Sequence, residues 1–298
     1  MNPELLDPDA VSRGDALGIM ARKIVEGYRV GDHRSPYHGF AIEFAHHREY
    51  SPGDDIRHLD WKVFGRSEKY YIRQYEQDTN FVTHLVVDGS ASMNYGSGKL
   101  TKLHYAKILA ACFAHVILLQ RDAVALALVG EEIQEYLPRT DNLQRIQHLM
   151  ERLSVFQGKG GTRLGTALQQ VSREARRRGI IIIISDLFDD EHGLASGLER
   201  FAFSGNEVIV FHTLDSHELT FPFDGTWEFR NLEGPDRVKI SPDDFRKSYL
   251  RNFEAFQSRV RRMCEKFQAH YVLADTSKSL AETFSGYLAF RQRANHQP

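Results

Sequence analysis

The sequence predicts an α/β protein: a doubly wound, mainly parallel sheet with helices on both faces, Rossmann-like in plan. Three observations carry this. From residue 81 onward, short apolar runs alternate with stretches of helical period. The run Ile180 to Ile184 is five isoleucines, the composition of a central strand buried on both faces. Polar loops rich in Asp, Ser, Thr and Gly fall where the strands end and the helices begin, which is where open α/β sheets place their ligand sites.

In order along the chain, residues 1–30 read as partly helical, with Ala16, Met20, Ile24 and Tyr28 in i, i+4 steps and Leu17 beside them. Residues 31–80 are charged and aromatic with little helical period; Ser51-Pro52-Gly53-Asp54 is a turn by its own chemistry. Tyr71 to Gln77 reads as a strand beside the one at Phe81–Asp88. Lys102–Gln120 is a helix apolar on nearly every side, its polar stripe limited to His104, Lys107 and His115, and so buried almost all round. Asp122–Val129 and Glu132–Leu137 form a strand pair across Gly130. Asn142–Leu153 and Leu164–Arg178 are amphipathic helices, the second ending in three arginines that suit a helix C-terminus. The isoleucine strand, a helix at Leu194–Phe203 and a strand at Glu207–Thr213 follow. Phe221 to Phe229 suggests a short hairpin or ordered loop. Ser241-Pro242 opens a long helix with a capping serine and a proline at its first position. His270–Ala274 is a last strand and Leu280–Arg291 a last helix. The expected division is an N-terminal helical and β extension, 1–80, packed on a main domain, 81–298.

A chain of 298 residues with a net charge of -2 gives no electrostatic case for nucleic acid as main partner. Cys112 and Cys264 lie far apart in apolar stretches and read as buried thiols of a reducing compartment. The acidic start lacks the basic and apolar regions of a signal peptide, and Ile180–Ile184 is too short to span a bilayer. These features lead us to expect a cytoplasmic protein with no direct membrane insertion.

The residues that promise chemistry sit on three loops. Phe81 to Asp88 is a strand that stops on an aspartate, with Ser90 and Ser92 following in the same tight loop. Thr162 lies in the glycine turn that opens the helix at 164, and Asp186 sits at the tip of the isoleucine strand. Two carboxylates and three hydroxyls are hard oxygen ligands, suited to Mg2+ or Mn2+ rather than zinc. Turn formation and helix capping compete with this reading, since Asp, Ser and Thr favour both. Asp189, Asp190 and Glu191 read as a solvated acidic loop. Gly96-Ser-Gly-Lys-Leu fails as a phosphate loop, because Met93 stands where the first glycine belongs and Leu100 where Ser or Thr is needed. His33, His38, His46, His47 and His58 match no common zinc spacing.

With Asp88, Ser90 and Ser92 in an Asp-x-Ser-x-Ser loop, Thr162 in the second loop and Asp186 in the third, residues 81 to about 290 resemble the von Willebrand factor A-type domain and its metal-ion-dependent adhesion site. All five positions are filled. The resemblance implies a metal bound by hydroxyls and by aspartates, direct or through water, with a coordination position open to an acidic group of a partner protein. The segment before it narrows the family. Glu43-Phe, Arg48-Glu-Tyr-Ser-Pro-Gly-Asp-Asp-Ile-Arg, Leu59-Asp-Trp-Lys, Arg66 and Tyr71-Ile-Arg-Gln-Tyr-Glu are similar to the hallmark of the bacterial domain-of-unknown-function family 58. Members of that family often carry an N-terminal membrane hairpin, which this sequence does not show, and are typically encoded beside MoxR-type AAA+ ATPases. The resemblance implies a non-enzymatic adaptor or chaperone-like partner of such an ATPase, acting on client proteins. Two other classes stand beside it: a metal-dependent hydrolase or phosphatase using Asp88, and a structural subunit with a vestigial site. The hydrolase would need a second acid two residues after Asp88, where Ser90 stands. The charged hallmark residues (Glu43, Arg48, Asp54, Asp55, Arg57, Asp60, Arg66, Arg73) form either a salt-bridged extension or a docking surface.

Overall fold

The computed structural model describes residues 8–30, 42–49, 63, 65, 70–77, 82–175, 178–232 and 236–294. The chain divides into two compact units, Met1–Pro36 with Phe81–Pro298, and Tyr37–Asn80. The larger unit is built on a six-stranded sheet. Its strands are β3 (Val82–Asp88), β4 (Ala123–Val129), β5 (Ile133–Thr140), β6 (Gly179–Ser185), β7 (Glu207–Leu214) and β10 (His270–Asp275), in the spatial order β10-β7-β6-β3-β4-β5. Every neighbouring pair is parallel except β4 and β5, which close an antiparallel edge. The chain enters the sheet at β3, runs outward through β4 to β5, then returns to β6 on the other side of β3 and runs outward again. The direction of winding therefore reverses between β3 and β6, and the crevice above their carboxyl ends is the position where such sheets bind ligands.

The α/β expectation holds in its particulars. Every residue of β3, β4 and β6 is buried, as Val- and Ile-rich strands covered on both faces require. One face packs on α4 (Leu164–Glu174), α5 (Glu191–Phe203) and α7 (Pro242–Lys266): Val86, Ile181, Ile183 and Val210 meet Leu168, Leu198, Phe201 and Val260. The alternate positions point the other way. There Phe211 meets Phe113 of α2 (Lys102–Leu119) and Tyr287 of α8 (Leu280–Ala294), rings 5.4 and 5.3 Å apart. Among the described residues α2 is the one helix long and apolar enough to cross a membrane, and most of it is buried inside the protein.

Several expectations are corrected. The first helix, α1 (Pro8–Val30), forms, but its buried stripe is Gly14, Leu17, Ala21 and Val25, one position round from the expected face; Met20 is half exposed. Small residues set the rotation: a β-carbon at Gly14 would stand 3.0 Å from the backbone of Glu151, so α1 lies close against α3 (Ile146–Val155). Because α1 also covers α2, Met1–Pro36 groups with the main unit. Lys107 and His115, expected on a polar stripe of α2, are buried, and the Lys107 ammonium donates to the carbonyls of Ser154 and Phe156. The helix after the glycine turn ends at Glu174, so the arginine run lies beyond it. Ser241 is the N-cap residue of α7 but makes no side-chain capping bond. The aromatic segment resolves into an antiparallel hairpin of β8 (Trp227–Arg230) and β9 (Arg237–Ile240), preceded by a short helix, α6 (Ser216–Thr220).

In the smaller unit β2 (Tyr71–Gln77) pairs antiparallel with β1 (Ile42–Glu49), from Glu49 opposite Tyr71 to Ile42 opposite Gln77, with a bulge between Phe44 and His46. The sequence had placed Tyr71–Gln77 beside β3. It cannot pair there, because β4 and β6 occupy both sides of β3. Of the charged hallmark, Glu43, Arg48 and Arg73 lie on these strands, whereas Asp54, Asp55, Arg57, Asp60 and Arg66 fall outside the described residues.

Candidate metal centre

Asp88 is the last residue of β3 and is fully buried. Its Oδ1 accepts the Ser90 amide at 2.8 Å, so the loop folds back on its own carboxylate, and the Ser185 hydroxyl donates to Oδ2 at 2.6 Å. The Ser90 and Ser92 hydroxyls hydrogen-bond each other at 2.9 Å; Ser90 is buried and Ser92 half-buried at the start of a 3-10 turn, Ala91–Asn94. Gly89 permits this fold, because a β-carbon there would stand 2.2 Å from the Phe156 ring.

The glycine turn is fastened to this loop through the backbone. Lys159 donates to the Gly89 carbonyl at 2.9 Å and Ala91 to the Gly160 carbonyl at 2.8 Å. Gly160 has φ 67, a conformation glycine adopts without steric cost. Thr162 is buried, and its hydroxyl donates to the Gly130 carbonyl at 3.5 Å, just beyond the end of β4. It does not cap α4, whose N-cap residue is Arg163.

Asp186 follows β6 and is fully buried. Its Oδ1 accepts the Phe188 amide at 3.3 Å, and its Oδ2 accepts the Lys102 ammonium at 2.7 Å. Leu187 between them has φ 58, a left-handed conformation that is strained for a bulky side chain. The Ser185 hydroxyl that donates to Asp88 also accepts the Leu187 amide at 2.9 Å, and so ties the third loop to the first. On β7, His212 Nε2 donates to the Asp186 carbonyl and Nδ1 accepts the Tyr271 hydroxyl, each at 2.9 Å. Burial holds this imidazole neutral, its pKa lowered to about 4. Asp190, expected in a solvated acidic loop, caps α5 through the amides of His192 and Gly193.

Asp88, at the end of β3, and the other four sequence-predicted residues, on joined loops, thus lie at the carboxyl edge of β3, β4 and β6. The sequence reading missed Lys102, Ser185, His212 and Glu218. Lys102 left a signal: a lysine opening a helix that is apolar all round must find an acid, since a buried charge is costly unless paired. Its Nζ is also 2.7 Å from Glu218 Oε1 and lies 5.1 Å from the Phe188 ring centroid. Burial opposes this ammonium, yet Asp186 and Glu218 together raise its pKa above the ordinary value. Burial also raises Glu218, against Lys102.

The charge count bears on a metal. Lys102 pairs with Asp186 and Glu218, and Asp88 beside Asp186 adds a third carboxylate, which leaves two negative charges in excess when all three are ionised. The Asp88 pKa is pushed up to about 7 by burial first and by Asp186 second, with Ser185 and Ser90 opposing. A divalent cation would balance that excess, and the donors are hard oxygens, so the residues fit Mg2+ or Mn2+. Asp88, Ser90, Ser92, Thr162 and Asp186 would hold it. Among the described residues no three His, Cys, Asp or Glu side chains are grouped to hold a metal, so the hydroxyls would have to complete the ligand set.

Fold and loops define a doubly wound α/β protein with buried acids and hydroxyls at its switch point. The chain belongs to the family described as Protein of unknown function DUF58, which matches residues 46–259. The uncharacterized proteins Rv1480 of Mycobacterium tuberculosis and Mb1516 of Mycobacterium bovis are each 26% identical to it over 314 residues, covering 99% of this chain and 98% of their own. Among solved structures, the conserved hypothetical protein BatB from Bacteroides thetaiotaomicron is similar at 20% identity and a TM-score of 0.47, over 72% of this chain and 100% of its own. The SpRpn10 VWA domain is similar at 13% identity and a TM-score of 0.42, over 70% of this chain and 95% of its own.

Proposed function

We propose that this chain is a non-enzymatic protein-binding module that works through a divalent cation, Mg2+ or Mn2+, at Asp88, Ser90, Ser92, Thr162 and Asp186. The bound ion would supply an electrophilic point to which a partner's Asp or Glu carboxylate adds. The protein's own groups arrange that point. Ser185 holds the Asp88 carboxylate, the glycine turn fastens the first loop, and Lys102 holds Asp186. The observation that carries the reading is the pair Asp88 and Asp186, both fully buried at the ends of neighbouring strands, with one ammonium, bound by Asp186 and Glu218, as their counter-charge. Two buried carboxylates in excess of their counter-charge are a standing demand for a cation. The partners follow from the family resemblance: a MoxR-type AAA+ ATPase and the client it remodels, in the cytoplasm.

The test is binding of purified chain to purified MoxR-type ATPase from the same genome, with Mg2+ or with EDTA, for wild type and Asp88→Ala. Binding that needs both the metal and Asp88 supports the reading. Equal binding by Asp88→Ala in EDTA overturns it.

A further inference from the structure

Lys102 is the first residue of α2, and its position is doubly unfavourable. A cation in the first turn faces the positive end of the helix dipole, and full burial strips it of water. The 2.7 Å bonds to Asp186 Oδ2 and Glu218 Oε1 offset this, and the Phe188 ring, 5.1 Å from the ammonium, adds a cation-π contact. The ammonium is enclosed, its side chain fully buried and paired with both acids, and the main chain beneath it is fixed by the bond from its amide to the Tyr95 carbonyl at 2.8 Å. Glu218 is held as firmly, since its other oxygen accepts the Asp215 amide at 2.8 Å. An apolar side chain in place of such a network often folds as well or better. The network's effect therefore falls on the charge of the site.

We infer that Lys102 is a built-in counter-ion that holds down the affinity of the centre for a bare divalent cation, an inference that rests on the metal reading above. With Lys102 present, a divalent cation brings the cluster of Asp88, Asp186 and Glu218 to neutrality, and an incoming carboxylate meets no net negative charge. Without Lys102 the loaded cluster stays negative; the ion is held more tightly and a partner's carboxylate is repelled. Lys102 thus shifts binding energy from the ion alone to the ion together with its partner. Glu218 acts in the opposite sense, adding a negative charge at fixed distance from the ammonium.

The experiment is calorimetric titration of the whole chain with Mn2+ alone, for wild type, Lys102→Met, Glu218→Gln and Asp88→Ala. Removing one positive charge beside the site should tighten Mn2+ binding by Lys102→Met about tenfold or more, and removing one negative charge should weaken it several-fold in Glu218→Gln. Melting of each variant with and without Mn2+ gives a second readout: Lys102→Met should be the least stable without metal and gain the most from it. If Lys102→Met does not fold, Glu218→Gln alone decides, because Mn2+ binding as tight as wild type overturns the inference. Asp88-dependent binding that is no tighter in Lys102→Met overturns it and leaves the metal reading standing. Absence of Asp88-dependent Mn2+ binding in every variant overturns both.

Discussion

The Ser185 hydroxyl donates to Asp88 Oδ2 at 2.6 Å and accepts the Leu187 amide at 2.9 Å, so one buried oxygen joins the ends of the two strands that flank the switch point. Ser185→Ala removes both bonds. Leaving a buried acceptor and a buried donor without this partner should cost about 1–3 kcal/mol in urea unfolding. Because Ser185 lowers the Asp88 pKa, the variant should also carry Asp88 protonated to higher pH, and its Mn2+ titration should need higher pH than wild type. A variant as stable as wild type would show that the bond contributes nothing.

Asp88 makes the stability of the metal-free protein pH-dependent in a definite direction. Its pKa is raised from 3.8 to about 7, so the folded state binds the proton more tightly than the unfolded chain. The stabilisation is full below the unfolded value and is lost as pH rises through about 7. In EDTA, wild type should therefore lose stability relative to Asp88→Asn between about pH 4 and 7, on the order of a few kcal/mol. Mn2+ should restore it. Unfolding midpoints at matched pH check this; parallel curves for the two proteins would refute it.

His84 on β3 works on the acid side. Burial lowers its pKa from 6.5 to about 4, so the unfolded chain takes up the proton first as pH falls. Stability tied to His84 is present above 6.5 and lost as pH falls through about 4. The loss should approach about 3 kcal/mol. His84→Gln, which cannot titrate, should remove this component between pH 6.5 and 4 relative to wild type; His212 adds a slope of the same sign and Asp88 one of the opposite sign, both common to the two proteins.

Much of this was legible in the sequence for a simple reason. The isoleucines of β6 and the valines of β3 have no solvent face to confuse the pattern, so the strands and the mainly parallel α/β class follow from composition and alternation. That Asp88, Ser90, Ser92, Thr162 and Asp186 fall at one sheet edge was legible, because strand ends and helix starts announce themselves. What was not legible depends on neighbours distant in the chain. The face of α1 is set by how near Gly14 comes to Glu151, and the partner of β2 by which sides of β3 are already filled. Lys102 and Glu218 are 116 residues apart, and nothing local shows that they meet.

Gly89 offers a test of the loop that does not depend on any ligand. A β-carbon there would lie 2.2 and 2.6 Å from two atoms of the Phe156 ring, inside any tolerable contact. Phe156 is buried at the end of α3 and cannot swing into solvent without opening the core beneath the glycine turn. Gly89→Ala must therefore displace either the ring or the loop that carries Ser90 and Ser92, at about 1–3 kcal/mol for overpacking. If the ring is what blocks, shortening it should relieve the strain. Gly89→Ala with Phe156→Leu should then be more stable than the sum of the single changes allows, by about 1 kcal/mol in a double-mutant cycle. Additivity of the two would mean that the loop, and not Phe156, absorbs the added methyl.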